Sequence, residues 1–262
     1  MGPTSATDVG VMYDQHTSLL ADVMGGYIHV GYWENPAEDV HVATERMTKE
    51  VAKRLLAVPG QRVLDVGCGT GKPAAQIAAT YDVHITGITI SNHQIQVAKD
   101  AYSTNIKSGK LDFQFANAME LHFPDTSFDS AFAIESLVHM NDKHKALTNI
   151  ARVIRPGGRF VIADLVLDAG CPNREVLNGW HEMFQVPTAM PSGDDLKQLL
   201  RQTGFRIIEY TDVRDNIRPI CKFLEKKALS LSGEIGERLL NVANSLAAVK
   251  ELGYVFLTAE RL

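Results

Sequence analysis

The chain has 262 residues, 45% of them hydrophobic and 22% charged, which is enough for one sizeable core with a subdomain added. A formal net charge of −5, with no block of Lys or Arg, argues against a nucleic-acid partner, and no apolar run reaches membrane-spanning length. Cys68, Cys171 and Cys221 are odd in number and form no CxxC pair, and the N-terminus lacks the pattern of a signal peptide, so the expectation is a cytoplasmic protein with neither a disulfide framework nor a metal site.

Residues 7–24 and 42–56 read as two helices, joined by an aromatic turn from Gly25 to Trp33. Residues 62–66 form a short apolar strand, followed by Gly67, Gly69 and Gly71 and a small-residue helix over 72–80. A second strand over 83–89 leads to Ser91-Asn92-His93-Gln94, which has the form of a capping box at a helix start. Residues 111–115 and 127–134 are the third and fourth strands, and 142–154 has helical spacing. Pro156-Gly157-Gly158 turns the chain into a strand over 159–167, and a helix over 194–202 precedes a strand over 206–210. Residues 217–251 are largely helical, with an apolar face that includes Leu224, Leu239, Val242 and Leu246, as in an amphipathic lid or an oligomer helix. Residues 253–260 return as a final strand. Such alternation implies an α/β fold with a parallel sheet wrapped by helices on both faces. Ligands bind such sheets at the carboxyl ends of the strands, where Asp65, Thr89, Asn117, Glu135 and Asp164 should lie.

The glycine turn carries the most information. Glycine lets the backbone take conformations that a Cβ forbids and lets a ligand approach the main chain. A P-loop is excluded, because Val66 and Pro73 occupy its first glycine and its hydroxyl position. A dinucleotide fingerprint is excluded by Lys72, which stands where the third glycine belongs. What remains is D-x-G-x-G-x-G after a strand, with Asp65 placed to steady the loop or to bind a cationic group.

That pattern resembles motif I of the class I S-adenosylmethionine (SAM) methyltransferases. The runs Phe115-Ala116-Asn117-Ala118-Met119, Glu135-Ser136-Leu137-Val138-His139-Met140, Arg155-Pro156-Gly157-Gly158 and Ala163-Asp164 resemble later motifs of the small-molecule members. Tyr13-Asp14 and His29-Val30-Gly31-Tyr32-Trp33 resemble the cap of the erythromycin- and rebeccamycin-type sugar O-methyltransferases, with sterol and tocopherol C-methyltransferases more distant. The resemblance implies a Rossmann-like, doubly wound, seven-stranded and mostly parallel sheet whose last strand is antiparallel. It also implies an N-terminal helical cap over 1–58, a SAM-binding core over 59–212 with a specificity segment at 168–193, a helical lid over 213–251 and a final core strand over 252–262. SAM is the implied cofactor, SAH its product, and an apolar or glycosylated small molecule the implied acceptor, with a homo-oligomer left open. Tyr13, Trp33, Asp65, Gly67, Gly69, Gly71, Thr89, Gln94, Asn117, Ala118, Met119 and Glu135 are the residues it places at the cofactor. Tyr27, Trp180, Phe184 and Met190 are those expected at the acceptor. Two positions depart from the wider class. Thr89 stands where an acidic residue commonly takes both ribose hydroxyls, with Gln94 in reach as a second partner, and Asn117 replaces an aspartate near adenine.

Methyl transfer from a sulfonium is an in-line displacement, so the protein must align the partners, exclude water and take a proton when the acceptor is a hydroxyl or an alkene. His139, after the fourth strand, has the side chain best suited to proton removal near neutral pH. Asp164 matches the second member of the general-base pair of the sugar enzymes and would orient that imidazole or bind the acceptor. The aromatic rings of Tyr13 and Trp33 would sit against the sulfonium by cation–π contact. O-methylation of a secondary-metabolite hydroxyl is the leading reading. C-methylation of an isoprenoid-like alkene, and a methyltransferase-like cyclase that keeps SAM without transferring a methyl group, remain as alternatives.

Overall fold

Strand β1 (Arg62–Val66) is buried from Val63 onward, as a central strand of a parallel sheet is, with Asp65 the one charged residue among Val63, Leu64 and Val66. The structure, a computed structural model, describes residues 5–171, 186, 190–231 and 233–262. Around β1 are β2 (His84–Thr89), β3 (Leu111–Phe115), β4 (Ser130–Ile134), β5 (Arg159–Leu167), β6 (Phe205–Asp212) and β7 (Leu252–Arg261). They form one seven-stranded sheet in the order β3-β2-β1-β4-β5-β7-β6. β1 to β5 pair in parallel, and β7 runs antiparallel between β5 and β6. This is the Rossmann-like, doubly wound α/β fold expected from the alternation. The strand order reverses between β1 and β4, opening a crevice at their carboxyl ends.

Ten helices are described: α1 (Ala6–Val23), α2 (Val40–Leu55), α3 (Lys72–Tyr81), α4 (Asn92–Ala101), α5 (Ser103–Lys107), α6 (Lys143–Val153), α7 (Gly193–Gln202), α8 (Arg214–Ile217), α9 (Pro219–Leu229) and α10 (Glu234–Ala248). α1 starts on a capping box in which Ser5 and Asp8 exchange side-chain and backbone bonds. The Ser91 hydroxyl likewise accepts the Gln94 N–H, but the Gln94 side chain does not return to Ser91. It turns inward to Thr89 and Thr17 instead, so the expected box is only half formed. The helical stretch after residue 213 is three helices rather than one. Pro219, which lacks a backbone N–H, starts α9, and Gly233, at φ 73°, precedes α10.

α1 and the loop that follows it lie over the crevice. Asp14 accepts from the Ser91 hydroxyl (2.5 Å) and the His93 N–H (3.0 Å), fastening α1 to the start of α4. Gly10 lets the helix approach closely, since a Cβ there would stand 2.6 Å from the Ile90 carbonyl oxygen. The loop is held by Thr70, whose hydroxyl donates to the Gly26 carbonyl (2.8 Å), and by Lys72, which donates to that of Gly25 (2.5 Å). At its far end Trp33 and Asn216 of α8 exchange two hydrogen bonds.

Gly71 caps α3 at φ 77°, and a Cβ there would stand 2.5 Å from the fully buried Phe113 ring. Gly71→Ala should therefore cost about 1–3 kcal/mol in a denaturant titration, the scale of a strained backbone position. Native stability in that variant would mean that Phe113 moves aside freely.

Candidate functional site

Two cavities meet beneath the cap. The first, about 920 Å³, runs from the glycine turn after β1 to residues 116–119 after β3. The second, about 820 Å³, lies between α1, the cap loop and helices α8 to α10. Tyr13, Ile28, His29, Glu135 and His139 line both and form their common wall.

The first cavity has the shape and polarity of a cradle for a ligand with a cationic end. Gly67 sits at φ 86°, where a Cβ would run into Ser136, and Gly69 at φ 53°, where it would stand 2.5 Å from Ile28 Cδ1. Both line the cavity, whereas Gly71 does not and serves the packing of α3 instead. Asp65 ends β1 at 2% exposure, and its Oδ2 has no hydrogen-bond partner among the described residues. Desolvation pushes its pKa well up, because a buried carboxylate without a counter-charge is costly. Thr89 and Gln94 line the wall as expected, but their side chains are joined to each other (2.6 Å), and Gln94 also donates to Thr17 (3.2 Å). Asn117, Ala118 and Met119 close the far end. The Asn117 amide oxygen accepts the Met119 N–H (2.9 Å), so it caps a short turn and keeps one lone pair for a ligand.

At the common wall, Tyr13 Oη lies 2.8 Å from His139 Nε2, and the rings meet edge-on at 5.3 Å. Glu135, just beyond β4, takes the left-handed φ of 50°. Its Oε1 accepts from the Val30 N–H (2.8 Å) and the Tyr254 hydroxyl (3.0 Å), tying the cap loop to the sheet. Burial, with the Asp164 charge adding to it, raises the Glu135 pKa to about 8. Asp164 departs from its expected place. β5 runs three residues past it to Leu167, so the carboxylate sits within the strand and lines neither cavity. Its oxygens accept from the backbone N–H of Val138 (3.2 Å) and Leu165 (2.8 Å), and burial lifts its pKa to about 6. It thus anchors the turn that presents His139. Lys143 adds to that turn by donating to the Met140 carbonyl (2.8 Å).

Three further expectations fall elsewhere. Trp33 is 3% exposed and packs in the core, its indole N–H donating to the Glu38 carbonyl (3.2 Å), so it borders neither cavity. Tyr27 is buried toward α3, with its hydroxyl on Gln76 and the Lys72 ammonium 4.4 Å over its ring. Met190 is buried in the main core. Trp180 and Phe184 lie outside the described residues. Ile28, His29 and Ser136 line the first cavity without having been picked out as site residues. His29 and Ser136 belong to the runs 29–33 and 135–140, which is the signal that the sequence carries for them. His29 is held near pKa 4, mainly by burial, and is neutral at pH 7.

Residues 64–162 match the methyltransferase domain family. O-methyltransferase resE of Aspergillus sclerotiorum is 63% identical over 99% of this chain and 98% of its own length. An O-methyltransferase of Pyrenophora dematioidea is 59% identical over 98% of this chain and 97% of its own. The chain belongs to the class I SAM-dependent methyltransferases. Its fold also superposes on the crystal structure of the [4+2]-cyclase SpnF, with TM-score 0.86 and 34% identity over 100% of this chain and 98% of that one. Relatives between 54% and 66% identical are named O-methyltransferases, so this methyltransferase transfers a methyl group from SAM to an oxygen of a small molecule, and the alkene and cyclase alternatives are not favoured. Among the described residues no helix is long and apolar enough to cross a membrane, and no cluster of side chains suits a metal ion.

The Glu135 carboxyl links pH to the stability of this site. Its folded pKa of about 8 lies above the ordinary value of 4.5, so the native state holds a proton that the unfolded chain releases in between. The stabilisation from that proton is complete below 4.5 and is lost as pH rises through about 8. Thermal melts should therefore fall across that window, and Glu135→Gln should flatten the slope. An unchanged slope in the variant would remove Glu135 as its source.

Proposed function

We propose that the first cavity holds SAM and the second holds an uncharged, largely aliphatic alcohol, whose hydroxyl meets the methyl group at the wall where the two join. The observation that carries this reading is the unpartnered Asp65 Oδ2 inside a glycine cradle, one wall of which carries a histidine. An amino acid ammonium would supply the counter-charge that Asp65 lacks. Gly67 and Gly69 would leave room for the methionine and ribose, Thr89 and Gln94 would meet the ribose hydroxyls, and Asn117, Ala118 and Met119 would hold the adenine. When bound, SAM supplies a methyl group activated by its positive sulfur.

The remaining requirements fall to this chain's own side chains. His139 takes the acceptor's proton, the cap loop and α1 keep water out, and Glu135 latches the loop. Alignment of the two partners is worth up to about 7–11 kcal/mol in well-oriented systems. The second cavity decides the acceptor class. Away from the shared wall its described lining is aliphatic, including Leu20, Met24, Leu165, Leu224 and Val242. A sugar would press several hydroxyls against carbon there, at about 1–3 kcal/mol for each one left without a partner. Among the described residues, Tyr13, His29 and His139 are the only aromatic rings on that wall, too few to surround a carbocation. An unglycosylated acceptor fits best.

Three experiments test this. With radiolabelled SAM, medium-chain secondary alcohols should gain one methyl mass and release SAH, whereas their glucosides should not. Turnover of the glucosides alone would overturn the acceptor class. His139→Ala should lose about 10²–10⁴-fold in turnover on the same alcohols, the range for a general base, with SAM affinity by calorimetry unchanged. Native turnover in the variant would remove the base. Gly69→Val, which fills the cradle, should abolish SAM binding, and native affinity there would refute the placement of the cofactor.

A further inference from the structure

We propose that Tyr13 relays the proton from the acceptor hydroxyl to His139, which makes it a catalytic residue and not only a part of the cap. This rests on His139 being the base.

The argument starts from occupancy. The nitrogen that would take the proton, Nε2, already faces the Tyr13 hydroxyl at 2.8 Å. Both side chains line both cavities, so an acceptor in the second cavity reaches the phenol oxygen as well as the imidazole it already holds. An incoming hydroxyl has two ways to reach Nε2. It can displace the phenol, which then loses its partner in a half-buried site beside two carboxyl groups, and an unpaired polar group there is costly. Alternatively it can donate to the second lone pair of the phenol oxygen, which leaves every group paired. The relay keeps the bond that the structure already contains.

Helix α1 fixes the phenol for this task. The Thr17 hydroxyl donates to the Tyr13 carbonyl (2.6 Å) and accepts from Gln94 (3.2 Å), which in turn accepts from Thr89 (2.6 Å). One chain of hydrogen bonds thus runs from the first cavity to the residue that holds the base. The titratable groups around the pair are Glu135 after β4, Asp164 in β5, Lys143 in α6, Tyr254 in β7 and His29 in the cap loop. Burial and the Glu135 and Asp164 charges push the phenol pKa up, so a free phenolate is disfavoured and the two proton movements occur together.

In that step the acceptor O–H bond breaks and its proton joins Tyr13 Oη, while the original phenol proton moves to His139 Nε2. The phenol ends neutral and the imidazole ends as imidazolium, which later releases its proton to solvent. The electron pair left on the acceptor oxygen forms the bond to the methyl carbon, the pair of the broken carbon–sulfur bond staying with sulfur.

Tyr13→Phe keeps the ring and removes one oxygen. With a medium-chain secondary alcohol and SAM, its kcat should fall about 10–10³-fold, with the KM for the alcohol and the Kd for SAM within about twofold of native. Loss of the phenol donor should also raise the His139 pKa, seen without any acceptor by nitrogen NMR titration of the SAH-bound protein. In a double variant, Tyr13→Phe should add little to His139→Ala, since both act in one proton path. Native kcat in Tyr13→Phe beside an inactive His139→Ala would overturn the relay and leave the base standing. Native kcat in His139→Ala would overturn the base itself. An unmoved His139 titration, or a loss confined to SAM affinity, would return Tyr13 to a purely structural role.

Discussion

Hydrogen bonds that fasten α1 and its loop across the sheet edge are what the rest of this site depends on. A parallel sheet ends at its carboxyl edge in an open crevice, and nothing in the strands themselves would keep that crevice dry. The cap closes it with few contacts, each placed where it also serves the site. Asp14 binds the start of α4, Thr17 binds Gln94 on the cavity wall, and Tyr13 binds His139. The loop beyond is latched by Thr70, Lys72 and Glu135. Most of these bonds are partly or fully buried, and they add direction to the apolar packing by which Val23, Met24 and Trp33 of the cap join the main core.

Three carboxyl groups sit at this edge, and their partners divide their tasks. Asp164 has both oxygens committed to backbone N–H groups and serves to shape the turn before His139. Glu135 divides itself, with Oε1 holding the cap loop and Tyr254 while the residue borders both cavities. Asp65 has an oxygen left over inside the cradle. Burial raises the pKa of all three, but among the described residues only Asp65 has an oxygen with no donor to offset the cost, which is the feature that the proposed cationic ligand would complete.

The sheet was legible because its strands alternate with helices at regular spacing and its central strands are mostly apolar. The motif after β1 was legible because three glycines in that spacing after a strand have few structural uses. What sequence could not resolve was direction. Trp33 lies in a stretch that borders the site, yet its ring turns into the core, since nothing local distinguishes the two faces of an irregular loop. Asp164 falls inside a strand whose bounds, 159–167, the sequence does show, and pairing with β7 along that whole length keeps its carboxylate off the ligand edge. Gly71 belongs to the motif but answers to Phe113, a partner more than forty residues away in the chain. The Tyr13–His139 contact joins residues 126 apart, and no periodicity reports such a distance.

Polarity at the common wall also gives the reaction a direction. Among the described residues the second cavity offers hydrogen-bonding side chains only where it meets the first, at Tyr13, His29, Glu135 and His139, with aliphatic carbon behind them. An amphiphilic alcohol can satisfy its hydroxyl in that chamber only by pointing it toward the donor cavity, so burial of the hydrocarbon end orients the reacting end. Burial of apolar surface is itself nondirectional. The placement of the few polar groups converts it into alignment. Under the proposed placement of the acceptor, the methylated oxygen would have no proton to donate and the wall would lose the hydrogen bond that held the substrate, so the ether would be held less well than the alcohol and exchange would need no separate device for release.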